Sequence, residues 1–156
     1  TEDELEFSVS DNGYGMSEEM IRRVTDPFCT TRTTRKVGLG IPFLRMAAEQ
    51  TGGSISITSR ERSKYPNDCG TKTSAKFFKK HIDYTPLGDI ISTVCTLIQG
   101  SPEIDFTFTH TGPGFSVRLS TAEMRELLGP DVPLSSAEVI TWTADYLREQ
   151  YNAVSP

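Results

Sequence analysis

Three glycine-containing segments in the first 80 residues constrain the fold of this chain more than any other feature. They are Asp11-Asn12-Gly13-Tyr14-Gly15, Gly38-Leu39-Gly40 and Gly70-Thr71. Glycine adopts backbone conformations closed to other residues and lets the backbone come close to a ligand or to another strand. Each segment adjoins a stretch with regular apolar spacing, so the chain turns, or approaches a ligand, at defined points of a mixed strand and helix pattern.

The apolar spacing around these segments predicts both strands and helices. Leu5, Phe7 and Val9 alternate with polar residues, the pattern of a half-buried strand. Ser17 is placed to cap a helix, and Gly52-Gly53 to end the next one. The predicted elements are a strand over 5–10, helices over 18–24 and 41–51, and strands over 54–59 and 71–79.

After about residue 80 the pattern changes, and a second α+β module is predicted. Thr111-Gly112-Pro113-Gly114 is a hairpin signal between two strand-like stretches. Thr121 and Ser136 are placed to cap the helices that follow. The predicted elements are a helix over 87–99, strands over 105–111 and 115–120, and helices over 121–128 and 137–151. We therefore expect two domains, 1–80 and 81–156.

Charge is divided unevenly between these two predicted domains. Residues 1–80 hold 13 basic and 11 acidic side chains, whereas residues 81–156 hold 3 and 10. Such asymmetry indicates two modules with different partners, or simply an acidic surface that keeps the second module in solution. Residues 28–48 contain four basic side chains and no acid, which suits a small polyanion. The stretch is too short for a nucleic-acid groove, so no nucleic-acid partner is expected.

Other partners are excluded by what the sequence lacks. No apolar run approaches the roughly 20 residues of a membrane span, and the acidic first residues do not form a signal peptide. The three cysteines, Cys29, Cys69 and Cys95, are far apart and odd in number, so neither a metal cluster nor a disulfide framework is expected. The resulting expectation is a cytoplasmic protein with no membrane partner.

Two of the glycine segments carry groups suited to binding a nucleotide. Asp11 ends a predicted strand and offers a carboxylate that accepts a hydrogen bond from an exocyclic amine, although the segment is also typical of an ordinary turn. Gly38-Leu39-Gly40 precedes a predicted helix, whose free N–H groups and dipole form an anion site unless the segment is merely a turn. The loop before it is hydroxylated and basic, typical either of a phosphate-binding loop or of a solvated surface.

In their order, these segments resemble the C-terminal part of the GHKL, or Bergerat-fold, ATP-binding domain of gyrases, heat-shock chaperones, histidine kinases and mismatch-repair ATPases. The histidine-kinase branch is the most similar. Asp11–Met16 resembles the first glycine box, Asp26–Arg32 the phenylalanine box, Gly38–Ile41 the second glycine box, and Gly70-Thr71 the final Gly-Thr. The resemblance spans residues 5–80. It implies a two-layer α/β sandwich, N-terminally incomplete here, followed by a small αββαα module.

The resemblance implies ATP as the cofactor and gives roles to eleven residues. Asp11 would bind the adenine amino group with support from the Thr71 hydroxyl, and the first glycines would give the ring room. Phe28 would anchor a lid, and the second glycine box would present N–H groups to the phosphates. The implied cofactor-binding residues are Asp11, Gly13, Gly15, Phe28, Thr31, Arg32, Lys36, Gly38, Leu39, Gly40 and Thr71.

Two parts of the family pattern do not match this sequence. The family's magnesium ligand is an Asn on a helix upstream of the first glycine box, and only ten residues precede Asp11. We therefore expect the chain as given to lack this ligand and to turn over ATP at no useful rate. Neither His81 nor His110 is followed by the acidic residue of a phosphoacceptor motif. No catalytic residue and no metal ligand are assigned, which leaves enzymatic activity open.

Two functions from different classes remain. The first is an ATP- or ADP-binding, histidine-kinase-like module of a bacterial-type signalling or regulatory kinase or ATPase. The alternative is a non-catalytic protein-interaction module that keeps the GHKL fold. Self-association is expected because the strand over 5–10 would be an unpaired edge, which tends to pair with another chain. Residues 81–156 are expected to dock a protein partner or to dimerise.

Overall fold

The structure is a computed structural model that describes residues 1–26 and 38–154. The chain divides into two compact units, Thr1–Pro86 and Leu87–Pro156. Within the described residues, the first unit contains a three-stranded sheet and the second a two-stranded sheet, and all strand pairs are antiparallel. The predicted α+β class is confirmed. No helix in the described part of the chain is long and apolar enough to cross a bilayer.

The first unit contains every strand and helix predicted for it. Its sheet order is β1-β3-β2, so the last strand lies between the other two. Ser17 caps the first helix as predicted, because its Oγ accepts a hydrogen bond from the Met20 N–H. The elements are β1 (Glu4–Asp11), α1 (Glu18–Arg23), α2 (Gly40–Gln50), β2 (Ser54–Arg60) and β3 (Gly70–Phe78).

The two faces of this sheet differ in polarity because strand side chains alternate between them. One face is apolar and is partly covered by α2, which packs against β2 and β3. Ala75 in the central strand is fully buried there. Its neighbour Phe7 on β1 is 43% exposed, and Val9 is 52% exposed. The prediction that this strand is half buried is therefore wrong for Phe7 and Val9, since α2 covers the other two strands and not β1.

The second unit has the predicted αββαα order. The elements are α3 (Ile90–Gly100), β4 (Thr107–Gly112), β5 (Phe115–Ser120), α4 (Thr121–Leu128) and α5 (Ala137–Val154). The core consists of buried apolar residues from α3, β5, α4 and α5 and from the link before the last helix: Val94, Ile98, Val117, Leu119, Met124, Leu134, Val139 and Leu147. Phe108 of β4 is partly buried against them.

The start of α3 and the cap of α4 differ from the prediction for local hydrogen-bonding reasons. Helix α3 begins at Ile90 because Asp89 caps it, with Oδ1 accepting from the Ser92 N–H at 2.9 Å. The cap of α4 is Ser120 rather than Thr121. Thr121 is instead the first residue of the helix, and its buried hydroxyl accepts from the Phe106 N–H at 2.7 Å.

Candidate functional site

The sheet register of the first unit brings three polar residues into one row. Asp11 on β1 lies opposite Thr71 on β3, and Thr71 lies opposite Ser59 on β2. Residues paired in this way project from the same face, with Cβ atoms about 5 Å apart. The row ends the apolar face of the sheet, so it places a carboxylate and two hydroxyls side by side where the face becomes polar.

Ser59 connects the parts of this row by hydrogen bonds. Its Oγ lies 2.9 Å from the Thr71 Oγ1 and 3.0 Å from the Gly70 carbonyl oxygen. The same Oγ accepts from the Met16 N–H at 2.7 Å. Ser59 is not among the site residues predicted from the sequence. A feature of the sequence that could have identified it is the strand alternation, because Ser59 is a polar residue two positions after Ile57, where the alternation predicts an apolar one.

Asp11 is exposed beside an open cleft of about 490 Å³. Its Oδ1 accepts from the Gly13 N–H at 2.8 Å, which turns the chain sharply after β1. The cleft volume falls in the range of small-ligand sites. The residues that line it are Ser10, Asp11, Thr58, Ser59, Arg60, Asp68, Cys69, Gly70, Thr71 and Lys72.

Two glycines at this site are required by the protein backbone itself. Gly15 has a φ of +66°, and a Cβ there would lie 2.0 Å from the Arg60 carbonyl oxygen. Gly70 has a φ of +145°, and its Cβ would lie 2.1 Å from the Asp11 carbonyl oxygen. A Cβ on Gly13 would meet only the Asp11 side chain. The close approach of Gly15 and Gly70 to neighbouring strands explains these residues without reference to a ligand.

The loop after β2 holds the first glycine segment in place. The Arg62 N–H donates to the Tyr14 carbonyl at 2.8 Å, and the Arg62 guanidinium carbon lies 4.9 Å from the centroid of the Tyr14 ring. Such a cation–π contact adds a fraction of a kcal/mol to about 1 kcal/mol at an exposed site. Arg60 forms an ion pair with Asp68 in the same loop. The chain around Tyr14 is therefore fixed by contacts from one loop.

The second glycine segment leads into a helix without a side-chain cap. Leu39 is the N-cap residue of α2, and it makes no side-chain hydrogen bond to the helix. The first turn contains no acidic residue, and a Cβ on Gly40 would meet no atom within 4 Å among the described residues. The other four described helices have a polar side chain at their start, from Ser17, Asp89, Ser120 and Ser136. Among the described residues, no side chain therefore compensates the positive end of the α2 dipole.

The structure brings together only part of the predicted site. Asp11 and Thr71 line one cleft, whereas Gly38, Leu39 and Gly40 are not among the residues that line it. Phe28, Thr31, Arg32 and Lys36 lie outside the described residues. Within residues 1–26 and 38–154, no group of three or more His, Cys, Asp or Glu side chains is arranged to hold a metal ion.

Neither of the two histidines belongs to this polar row. His81 follows β3, and its Nδ1 is 3.5 Å from the Asp83 carboxylate. His110 lies on β4, with Nδ1 2.8 Å from the Tyr151 hydroxyl of α5. Burial lowers the pKa of His110 below its usual value. The ring is neutral near pH 7 and joins β4 to α5.

Comparisons with known proteins agree on the first unit. The family model described as histidine kinase-, DNA gyrase B-, and HSP90-like ATPase matches residues 1–82. A similar curated protein is the CAI-1 autoinducer sensor kinase/phosphatase CqsS of Vibrio cholerae serotype O1, which is 28% identical over 120 residues. The alignment covers 70% of this chain, more than the first unit contains, so it includes residues of the second unit. The chain matches 17% of that protein's length.

Proposed function

The chain belongs to the family of histidine kinase-, DNA gyrase B-, and HSP90-like ATPases, and from this premise we propose that its first unit binds an adenine nucleotide beside Asp11 and Thr71. The carboxylate of Asp11 accepts a hydrogen bond from the exocyclic amine of adenine. Residues 1–80 form the histidine-kinase-like nucleotide module of this proposal, and residues 81–156 form an accessory module.

The observation that carries the proposal is the position of Asp11 opposite Thr71. The two residues are 60 positions apart in the sequence, and the sheet pairs them directly at the edge of an open cleft. A purine needs a hydrogen-bond acceptor, a shaped surface and access from solvent. This row supplies the acceptor, and the apolar face that adjoins it offers a surface for a flat ring.

The phosphates of the nucleotide belong, in this proposal, at the start of α2. Gly38, Leu39 and Gly40 precede a helix with no capping side chain and no acid in its first turn. A helix N-terminus of this kind attracts a phosphate through its free N–H groups and its dipole. Phe28 and Thr31 keep the roles implied by the family resemblance, and Arg32 and Lys36 contribute positive charge.

Magnesium accompanies ATP in this family, but the described residues do not fit the ion. They contain no cluster of three metal-ligating side chains. We therefore assign no step to a metal on this chain and propose nucleotide binding rather than phosphoryl transfer as its activity. Membership of a signalling or regulatory kinase or ATPase of bacterial type, acting in the cytoplasm, extends the proposal and is supported by the sensor kinase/phosphatase to which the chain is similar.

Titration calorimetry with ADP and ATP, each with and without magnesium, tests this proposal on the 156-residue chain. We expect the wild type to bind both, and Asp11→Asn to weaken ADP binding about tenfold or more, because a hydrogen bond to a charged acceptor is lost. Glu6→Gln is the matched control, since Glu6 lies on the same strand and projects from the other face. Equal affinity of Asp11→Asn and wild type, or no binding by the wild type, contradicts the proposal.

A non-catalytic interaction module is the second candidate, and the exposed residues of β1 favour it. Phe7 and Val9 are large apolar side chains on an edge strand whose second edge has no partner among the described residues. Such a strand pairs readily with another chain. We propose that β1 self-associates with a second copy. The calorimetric titration discriminates between the candidates, because an interaction module that has lost its ligand shows no heat with either nucleotide.

A further inference from the structure

The Ser59 hydroxyl has one proton and three hydrogen-bonding neighbours. These are the Met16 N–H at 2.7 Å, the Gly70 carbonyl oxygen at 3.0 Å and the Thr71 Oγ1 at 2.9 Å. A serine hydroxyl donates once and accepts up to twice. All three contacts are satisfied together in only one arrangement of protons, and that arrangement determines what the Thr71 hydroxyl offers to a ligand.

The direction of each bond follows from the chemistry of the neighbours. The Met16 N–H only donates and the Gly70 carbonyl only accepts, so the single Ser59 proton goes to Gly70. The remaining contact then requires Thr71 to donate its proton to Ser59. Consequently the Thr71 proton is taken up by Ser59, and only the lone pairs of the Thr71 oxygen are left for a ligand. Toward anything bound in the cleft, this hydroxyl is therefore an acceptor.

We propose that Ser59 is a positioning residue that selects a 6-amino purine over a 6-oxo purine by fixing this orientation of the Thr71 hydroxyl. The inference rests on the proposed nucleotide site. Asp11 and Thr71 then present two acceptors, which match an amine with two N–H groups. A 6-oxo group carries no proton and would place a third acceptor against them, leaving buried lone pairs unpaired.

The position of Ser59 in the sheet makes this orientation rigid. Ser59 lies directly opposite Thr71 in the register of β2 and β3, and both side chains are half buried. The Gly70 carbonyl that takes the Ser59 proton is held by the close approach of Gly70 to the end of β1. Without Ser59, the Thr71 hydroxyl could rotate and donate to a ligand carbonyl, so a single hydroxyl determines the preference.

The test compares ADP with inosine diphosphate, which differs from ADP by a 6-oxo group and a proton on N1. Both dissociation constants are measured by calorimetry for the full chain. We expect the wild type to prefer ADP by at least about a hundredfold, and Ser59→Ala to reduce that ratio by about tenfold. Ser59→Thr keeps the hydroxyl, so we expect its preference for ADP over inosine diphosphate to equal that of the wild type. Ser56→Ala, on the same strand and the opposite face, is expected to leave it unchanged.

The outcomes separate this inference from the function on which it rests. If Ser59→Ala weakens ADP and inosine diphosphate equally, the residue is merely structural and the inference is overturned, while the nucleotide site stands. If the wild type binds neither nucleotide, both fail together. Should Ser59→Ala not fold, Thr71→Val decides, because it removes the second acceptor. A selectivity ratio unchanged in Thr71→Val overturns the inference.

Discussion

The second unit packs its helices around Ile98, Val117 and Leu147, which are almost wholly buried, whereas the buried apolar side chains among the described residues of the first unit are the smaller ones of Pro42, Ala48 and Ala75. The first unit leaves large apolar side chains in contact with solvent, among them Phe7, Val9, Phe43 and Met46. Both units contain antiparallel sheets and helices. They differ in how much apolar surface they remove from water.

This difference assigns different sources of stability to the two units. Burial of a large apolar side chain contributes about 1.5–3 kcal/mol, so the second unit is stabilised by its own core. The described residues of the first unit gain less from burial and rely more on the hydrogen-bonded sheet and on the contacts around Ser59. We therefore expect the proposed binding of a ligand or of a second copy to affect the first unit more than the second.

The largest expected effect comes from removing a core side chain of the second unit. Leu147→Ala is expected to reduce the free energy of unfolding of that unit by about 2–5 kcal/mol, because it leaves a cavity. Trp142, the chain's one tryptophan, lies on α5, and its fluorescence reports urea unfolding of this unit. Phe7→Ala in the first unit is the counterpart, with an expected cost below about 1 kcal/mol. Equal costs would contradict the comparison.

A nucleotide should stabilise the first unit alone. At an ADP concentration one hundred times its dissociation constant, the expected gain is about 2.7 kcal/mol. Hydrogen exchange followed by mass spectrometry measures the gain in peptides from Thr1–Pro86 and from Leu87–Pro156 separately. We expect added protection only in the peptides from Thr1–Pro86, and we expect Asp11→Asn, the control, to abolish it. Equal protection of both sets would show that the units respond together.

The exposed apolar side chains of β1 should control self-association. Val9→Lys is expected to weaken it at least about tenfold, since a charge on an edge strand opposes pairing with another chain. Sedimentation velocity at tens of micromolar measures the effect. The control is Ser8→Lys, which adds the same charge to the opposite face of the same strand. It distinguishes an effect of the apolar face from an effect of net charge. A wild type that sediments as a monomer removes the basis for this prediction.

The smallest expected effect is a pH dependence of the second unit. Burial lowers the pKa of His110, so the unfolded chain binds a proton more readily than the folded one. The second unit therefore has its full free energy of unfolding above the usual histidine pKa of about 6.5, and this free energy decreases as the pH falls below that value. Urea unfolding between about pH 7.5 and 5.5 measures this loss. His110→Gln is expected to flatten the dependence, and an unchanged slope would assign it to other groups.

The family resemblance of the ordered glycine segments predicted Asp11 and Thr71 as partners in one site. The structure pairs the two residues across β1 and β3, and their role in binding stays a prediction. Strand alternation and capping residues predicted the element order, including the cap by Ser17. The cap of α4 lies one residue before the predicted one because Ser120 and Thr121 are both capping types, and only packing determined that Thr121 is buried. The burial of β1 could not be predicted, since an alternating pattern does not say which element covers it.

The amino-acid sequence by itself predicted the fold class, because strand alternation and capping residues are local along the chain, and it predicted the family through the resemblance of its ordered glycine segments. The roles of these residues toward a purine and its phosphates stay predictions. Only the tertiary structure decided that Ser59 completes the row of Asp11 and Thr71, since that contact depends on the register between three strands. It also decided that Gly15 and Gly70 serve close backbone approaches. Such contacts join residues distant in the chain, and no local pattern encodes them.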